Sequence, residues 1–471
     1  MHVVILGAGL AGLSAAHALT RRGVRVTLLE KSLEVGGMAS SWQVGPYWLD
    51  HGPHRFHSRD EELVRHFYEI LDDEVVIRER RSRIYLLGKF FDYPLQTGNV
   101  FANLPKGVLA RALFDYLWIR AQQPFRPIPD TNFENWVRKR FGDTLFRLFF
   151  GTYTAKAWRM PTSQISADWA EQRISQTSLF DAIAKTLFPP RNGAVRSLVS
   201  QFWYPRRGGI GQLSRKYAEK IVRQGGEVWL GTPVERLELE GSRVARVVCT
   251  RENRRVELEC DHVISTIPLP RLLESLHDGG RPAITPEVRA AIARIGYIGI
   301  VFVYLEVARP SAIPDHWVYL PQPELTVHRI TEFKNFSDEA APGDRTVVCC
   351  EITCRPGDER WNLTLAEAAR IAENDLVAIG VVRPGECRGL DIAKLPYAYP
   401  VYDLEYRANL DVLRGAIAHL SNLSTTGRQG LFRYNNMDHS IAMGRAFADR
   451  IANGSADSGA EAIGLEREYF G

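Results

Sequence analysis

Residues 1–30 read MHVVILGAGLAGLSAAHALTRRGVRVTLLE. The run VVIL at 3–6 is short, apolar and β-branched, which suits a strand buried in a parallel sheet. GAGLAG follows at 7–12. LSAAHALTRRG then places Leu13, Ala16 and Leu19 at helical spacing, with Gly23 as the stop. VRVTLLE forms a second strand ending on Glu30, so the stretch is one β-α-β unit. Gly7 lets the chain turn sharply out of the strand. Gly9, lacking a Cβ, lets a diphosphate approach the backbone, and Gly12 lets the helix pack close to the sheet. The helix start offers free N–H groups and a positive dipole end to phosphates. Glu30 stands where a carboxylate accepts hydrogen bonds from an adenosine ribose. A glycine triplet alone is a weak signal. Its strand, helix and acid together predict a dinucleotide cradle.

Outward from this unit, the whole chain has 471 residues, 45% hydrophobic and 24% charged. That is globular composition and excludes a disordered, collagen-like or coiled-coil chain. The length predicts two or three packed units. Lys plus Arg is 59 and Asp plus Glu is 55, a net +4. So small an excess gives no argument for nucleic-acid binding and leaves room for a local anion site. No apolar run approaches the ~20 residues that cross a bilayer as a helix. Cys249, Cys260, Cys349, Cys350, Cys354 and Cys387 form no C-x-x-C pair, so reduced core thiols and no metal site are expected. The chain opens into a strand and a glycine motif rather than a secretory signal, and a cytoplasmic location is expected.

KSLEVGGMASSW places Gly36 and Gly37 shortly after Glu30. Two adjacent glycines after the ribose acid resemble the second fingerprint of FAD enzymes of the amine-oxidase superfamily. The resemblance implies FAD rather than a nicotinamide. No Cys or His occupies an evident attachment motif, so the FAD is expected to be non-covalent. DHGPHRFHS (50–58) matches the loop that lies beside the isoalloxazine in that family. Gly52 and Pro53 would shape it, and His54 and His57 are candidate flavin contacts, a structural or exposed histidine being the alternative for each. The resemblance further places Val234 on the segment that wraps the adenine, and ISTIP (264–268) at the cofactor edge.

The implied fold is α/β, a Rossmann-like FAD-binding domain with a parallel sheet, interleaved with a substrate domain of antiparallel sheet plus a helical insertion. Residues 1–101, 201–270 and 396–453 would build the first, second and C-terminal parts of the FAD-binding domain. Residues 102–200 would be the helical insertion and 271–395 the substrate sheet, with 454–471 a fraying tail. RSRIYLLGKFFDYPLQTGNVF (81–101) alternates like paired strands about Gly88. Leu104, Val108, Leu109, Ala112, Leu113, Tyr116 and Leu117 recur at helical spacing and are expected to face the core. Basic residues flank them, which leaves a peripheral membrane helix open. The oligomeric state is not legible.

Further motifs resemble UDP-galactopyranose mutases, in the same order along the chain: GPHRFHS, YPLQTGNVF, FFGTYTAKAWRMPTSQISADWAEQRI, VHRITEFKNFS and GRQGLFRYNNMDHSI. YPRRGGIGQL (204–213) is closer to the protoporphyrinogen-oxidase branch. The mutase resemblance implies that Arg329 meets a substrate diphosphate beside the flavin, a salt bridge to Glu332 or a neighbour being the alternative. It also implies that Gly427 and Arg428 sit by the flavin pyrophosphate, that Met437 and Asp438 begin a helix facing the flavin, and that Tyr434 lies in the active site. Arg173 matches one arginine of the helical region, but the next counterpart is Thr177, so one jaw of the clamp is either missing or supplied from elsewhere, by Arg206 or Arg207. Catalytic roles are expected for Arg329, Tyr434 and His54, and substrate binding for Arg173, Arg206, Arg329 and Tyr434. The implied activity is an FAD-dependent oxidoreductase passing hydride from a small anionic or sugar-like substrate to flavin N5. The alternatives are a non-redox sugar mutase working through reduced FAD on a nucleotide-sugar and a non-catalytic flavin-binding protein.

Overall fold

The computed structural model describes residues 1–93, 97–174, 200–453 and 463. β1 (His2–Leu6), α1 (Leu10–Thr20) and β2 (Arg25–Leu29) form where the opening motif predicts them. β1 is the centre of a five-stranded parallel sheet. Its order is Leu423–Thr425, His262–Ser265, β1, β2, Glu227–Trp229. Val3, Val4, Ile5 and Leu6 have no exposed surface, since the sheet is covered on both faces. That explains an unbroken apolar run instead of an alternating one. Each such side chain contributes roughly 1.5–3 kcal/mol by leaving water. Strands from the start, middle and end of the chain therefore meet in one sheet, and the segments between them are excursions.

The largest excursion product is a seven-stranded sheet. Its order is Cys387–Pro400, Tyr297–Val307, Thr346–Cys354, Arg329–Glu332, Trp317–Tyr319, Ser82–Leu86, Lys89–Asp92. Neighbours are antiparallel except Trp317–Tyr319 with Ser82–Leu86. Thr346–Cys354 is buried throughout, and its three cysteines are free, as are the other three. A smaller five-stranded sheet, from Val234–Glu240, Arg243–Arg251, Arg254–Glu259, Leu276–Asp278 and Arg281–Pro282, completes the α/β architecture.

Two placements differ from the sequence expectation. Ser82–Leu86 and Lys89–Asp92 pair as predicted but belong to the seven-stranded sheet, not to the cradle. The strand pattern also stops at Asp92, because Thr97–Asn103 is helical. The helical block contains Lys106–Gln122, Phe133–Phe141, Thr152–Trp158 and Ala167–Arg173. Asn132 caps the second of these, its side chain accepting from Asn135 N at 2.8 Å. Thr177 and the tail from 454, apart from residue 463, lie outside the described residues. In Lys106–Gln122 the buried side is Ala112, Tyr116 and Ile119, while Leu113 and Leu117 are 50% and 57% exposed. The expected core stripe is therefore only partly a core stripe.

The helix Met437–Asn453 lies across α1. The crossing is close because Gly444 has no side chain. A Cβ there would stand 2.1 Å from Ser14 Oγ and 2.2 Å from Ala11 O. Ser14 Oγ in turn donates to Ile441 O at 3.0 Å.

Candidate active site

A cavity of about 1370 Å³ is lined by residues of the cradle and of the seven-stranded sheet. A volume above the ~300–1,000 Å³ of an ordinary ligand pocket leaves room for more than one small molecule.

At one end the wall is largely backbone. Gly7, Gly9, Gly36 and Gly37 line it, and Gly36 N donates to Ala8 O at 2.7 Å, which docks the second glycine loop on the first. A Cβ on Gly9 would meet nothing within 4 Å, so this position faces the cavity. A Cβ on Gly12 would stand 2.1 Å from Gly7 O, so Gly12 serves the helix-to-sheet approach and does not line the cavity. Glu30, buried at the end of β2, accepts from Ala8 N and Ser32 N, both at 2.9 Å. These two bonds fix its carboxylate at the cavity wall. Val234 lines the same end beside Thr232 and Pro233. Gly427 and Met437 also reach it, each at the start of a helix.

At the other end the wall is side chains. Arg329 lines it, but its guanidinium grips Glu351 across the neighbouring strand, Nε to Oε1 at 2.7 Å and Nη2 to Oε2 at 2.6 Å. Burial works against the Arg329 charge, yet the Glu351 carboxylate outweighs it and holds the guanidinium protonated well above its ordinary range. Burial raises the Glu351 carboxyl, with Arg329 opposing. The salt-bridge alternative thus holds, with Glu351 as partner in place of Glu332. Glu332 is committed elsewhere, accepting from Ile313 N and Thr346 Oγ1, both at 2.7 Å. Gly52 stands behind this pair. A Cβ there would sit 2.9 Å from Glu351 Oε1 at φ +76°, so the loop needs glycine to seat the carboxylate.

His54 lines the cavity beside Pro53, and His57 lines it nearby. Burial pushes both imidazoles down to about 3, helped at His54 by the Arg428 and Arg329 charges and at His57 by Arg55. Both are therefore neutral at any working pH. Arg428 lies over the Tyr434 ring at 4.0 Å and donates to Ala398 O at 2.7 Å. Tyr434 stacks on Tyr399 with centroids 5.4 Å apart and lines the cavity. Asp438 is buried in the first turn of its helix, behind the lining.

Arg55 is the residue that sequence reasoning passed over. It lines the cavity, its guanidinium lies 4.3 Å from the Trp317 ring centroid, and Arg80 approaches the same ring at 5.1 Å. No carboxylate pairs with Arg55 or Arg80 among the described residues, and one buried nitrogen of Arg80, Nη1, has no hydrogen-bond partner. Burial, with the Arg80 charge second, pushes Arg55 down to about 9. The available signal was a cation set inside GPHRFHS between two loop histidines. Arg206 and Arg207 do not supply a second jaw. Their side chains are 51% and 73% exposed, they pair with Glu74 and Glu339, and neither lines the cavity. Arg173 ends the helix Ala167–Arg173.

Residues 10–381 match the model of the flavin-containing amine oxidoreductases, and the chain belongs to that family. It is 28% identical over 292 residues to phytoene dehydrogenase from Streptomyces griseus, covering 57% of this chain and 54% of that protein. The match thus spans about half the length of that relative. The fold is shared with reduced UDP-galactopyranose mutase, at TM-score 0.83 and 21% identity, over 98% of this chain and 96% of that one. It is also shared with a chain from Exiguobacterium sp. 255-15 provisionally named a protoporphyrinogen oxidase, at TM-score 0.69 and 18% identity, over 96% and 99%.

Proposed function

We propose that this family member is an FAD-dependent oxidoreductase whose substrate is a small anionic molecule, with FAD bound non-covalently. The residues fit the cofactor. Gly9 opens toward the cavity, Glu30 is pre-positioned by two backbone amides, and Arg428 Nε, Gln429 Oε1 and Thr426 Oγ1 are buried with no hydrogen-bond partner among the described residues. Gly7, Gly9, Gly36, Gly37 and Gly427 would hold the diphosphate, Glu30 the ribose, and Val234 the adenine side. When bound, the flavin supplies two-electron acceptance, and the chain supplies orientation and electrostatics.

The observation that carries the anionic substrate is Arg55. A guanidinium paired with no carboxylate among the described residues keeps its charge available to a ligand, whereas Arg329 is neutralised by Glu351. His54 and His57, held neutral, suit hydrogen bonding better than charge pairing. Tyr297, Tyr319, Tyr397, Tyr399 and Tyr434 line the same cavity, and hydroxyl-bearing rings suit a hydroxylated substrate. The same tyrosines favour a second reading, a sugar mutase that needs reduced FAD and leaves net redox unchanged.

Anaerobic titration separates the two. Bleaching of the oxidised protein by a substrate alone supports the oxidoreductase, and turnover only after dithionite supports the mutase. Arg55→Met should raise KM for an anionic substrate by about 10²-fold, the loss of a charged hydrogen bond of roughly 1.5–3 kcal/mol. Unchanged KM in that variant overturns the anion assignment.

A further inference from the structure

The exposed large apolar side chains are not scattered. Among the described residues, five of the twelve such side chains, Leu113, Phe114, Leu117, Trp118 and Phe125, fall on one short stretch, at 50%, 64%, 57%, 56% and 86% exposure. Scattered apolar residues on a surface need no explanation, but a contiguous patch does. Four of the five lie on the helix Lys106–Gln122, whose opposite side, Ala112, Tyr116 and Ile119, packs into the protein. Phe114 and Trp118, one turn apart, stack with ring planes 14° from parallel.

The charges around the patch have one sign. At 100° per residue, Arg111 and Arg120 fall on the two edges of the exposed face. Lys106 stands exposed at the helix start and Arg126 beside Phe125. None of the four pairs with a carboxylate among the described residues. The one acid of the segment, Asp115, is half-buried and accepts from Thr144. An apolar face with aromatic residues, bordered by basic side chains long enough to reach out of a membrane interface, is the pattern of a helix lying in the plane of a bilayer surface. No helix among the described residues is long and apolar enough to cross a membrane.

We propose that the outer face of Lys106–Gln122, extended by Phe125, docks the protein on an anionic lipid surface. Charge decides between this occupant and a second copy of the chain. Two copies packed face to face would oppose the basic rims with no carboxylate between them, whereas anionic headgroups neutralise the rims while the acyl boundary takes Phe114, Leu117 and Trp118.

The test is co-sedimentation of the full-length flavoprotein with phosphatidylcholine vesicles and with vesicles carrying 30% phosphatidylglycerol as the probe, alongside light scattering for oligomeric state. Binding is expected on the anionic vesicles, falling as salt rises. Arg111→Gln with Arg120→Gln should weaken it about 30-fold, from ~1 kcal/mol per basic residue near the surface. Trp118→Asp and Leu117→Asp should abolish it. All these positions are exposed, so circular dichroism and flavin absorbance should match wild type. Binding that survives Trp118→Asp overturns the proposal. So does failure to bind anionic vesicles, whether the protein is monomeric or forms a dimer that Trp118→Asp dissolves. None of these readouts depends on substrate identity, so this result and that of the Arg55 experiment fall independently.

Discussion

At the cradle end of the cavity the wall is backbone, and each position is defined by what a Cβ would do there. At the opposite end the wall is side chains, and each is defined by a partner far away in sequence. Gly7 to Glu30 form a local unit whose spacing is visible in thirty residues. Arg55, Arg80 and Trp317 are brought together only by the tertiary fold, and Arg329 and Glu351 only by strand register. A backbone-built site leaves glycines at fixed intervals. A side-chain-built site leaves residues that look ordinary until their neighbours are known.

The sharpest way to break this contrast lies within the glycine motif. Gly12→Val should prevent folding, because the added Cβ would meet Gly7 O at 2.1 Å. Gly9→Val should leave the fold intact, since nothing stands within 4 Å, and yet abolish yellow absorbance. Soluble expression, circular dichroism and the visible spectrum report both. A Gly9 variant that keeps its colour would mean the cradle is not where the cofactor lies.

Next in size is the opposite end. Glu351→Ala leaves Arg329 buried without its carboxylate and should cost about 3–5 kcal/mol in urea unfolding. Adding Arg329→Met should recover part of that loss, since the two side chains act as a pair. A cost under about 1 kcal/mol would show the pair to be solvated.

A third difference concerns acid. Burial holds His51 down to about 4 and His54 and His57 down to about 3, all at the side-chain end. The unfolded chain binds these protons below about pH 6.5, whereas the folded chain does so only near pH 3–4. Their full contribution to stability is therefore present above pH 6.5 and is lost as pH falls toward 4. The urea midpoint should drop between pH 7.5 and pH 5.0, and hydrogen exchange should rise first around residues 51–57. An unchanged midpoint would mean these imidazoles are not desolvated.

The smallest effect belongs to the cradle. Glu30→Gln keeps one carbonyl acceptor and should weaken FAD binding about tenfold, the low end of a charged hydrogen bond, read by fluorescence titration of the deflavinated protein.

How far the sequence could be read follows the same contrast. β1, α1 and β2 were legible because periodicity and glycines mark them locally. Arg55 was not, since the histidines beside it drew attention and its ring partner lies on a strand at 317–319. The partner of Arg329 was not legible for a similar reason. Glu332 is near in sequence, but the strand register sets Glu351 opposite. On Lys106–Gln122 the apolar residues run around much of the helix, so spacing alone could not tell which side packs inward. The buried side proved to be the one carrying Ala112 and Tyr116.

The close crossing of α1 by the helix Met437–Asn453 also has a bearing on biosynthesis. Gly7 to Gly37 build one side of the cavity early in the sequence, yet Gly427 and Met437 complete that side from far later, and Leu423–Thr425 supplies the edge strand of the parallel sheet. A growing chain that has not yet reached Leu423 therefore has the cavity open on one side and leaves α1 without the helix it packs against.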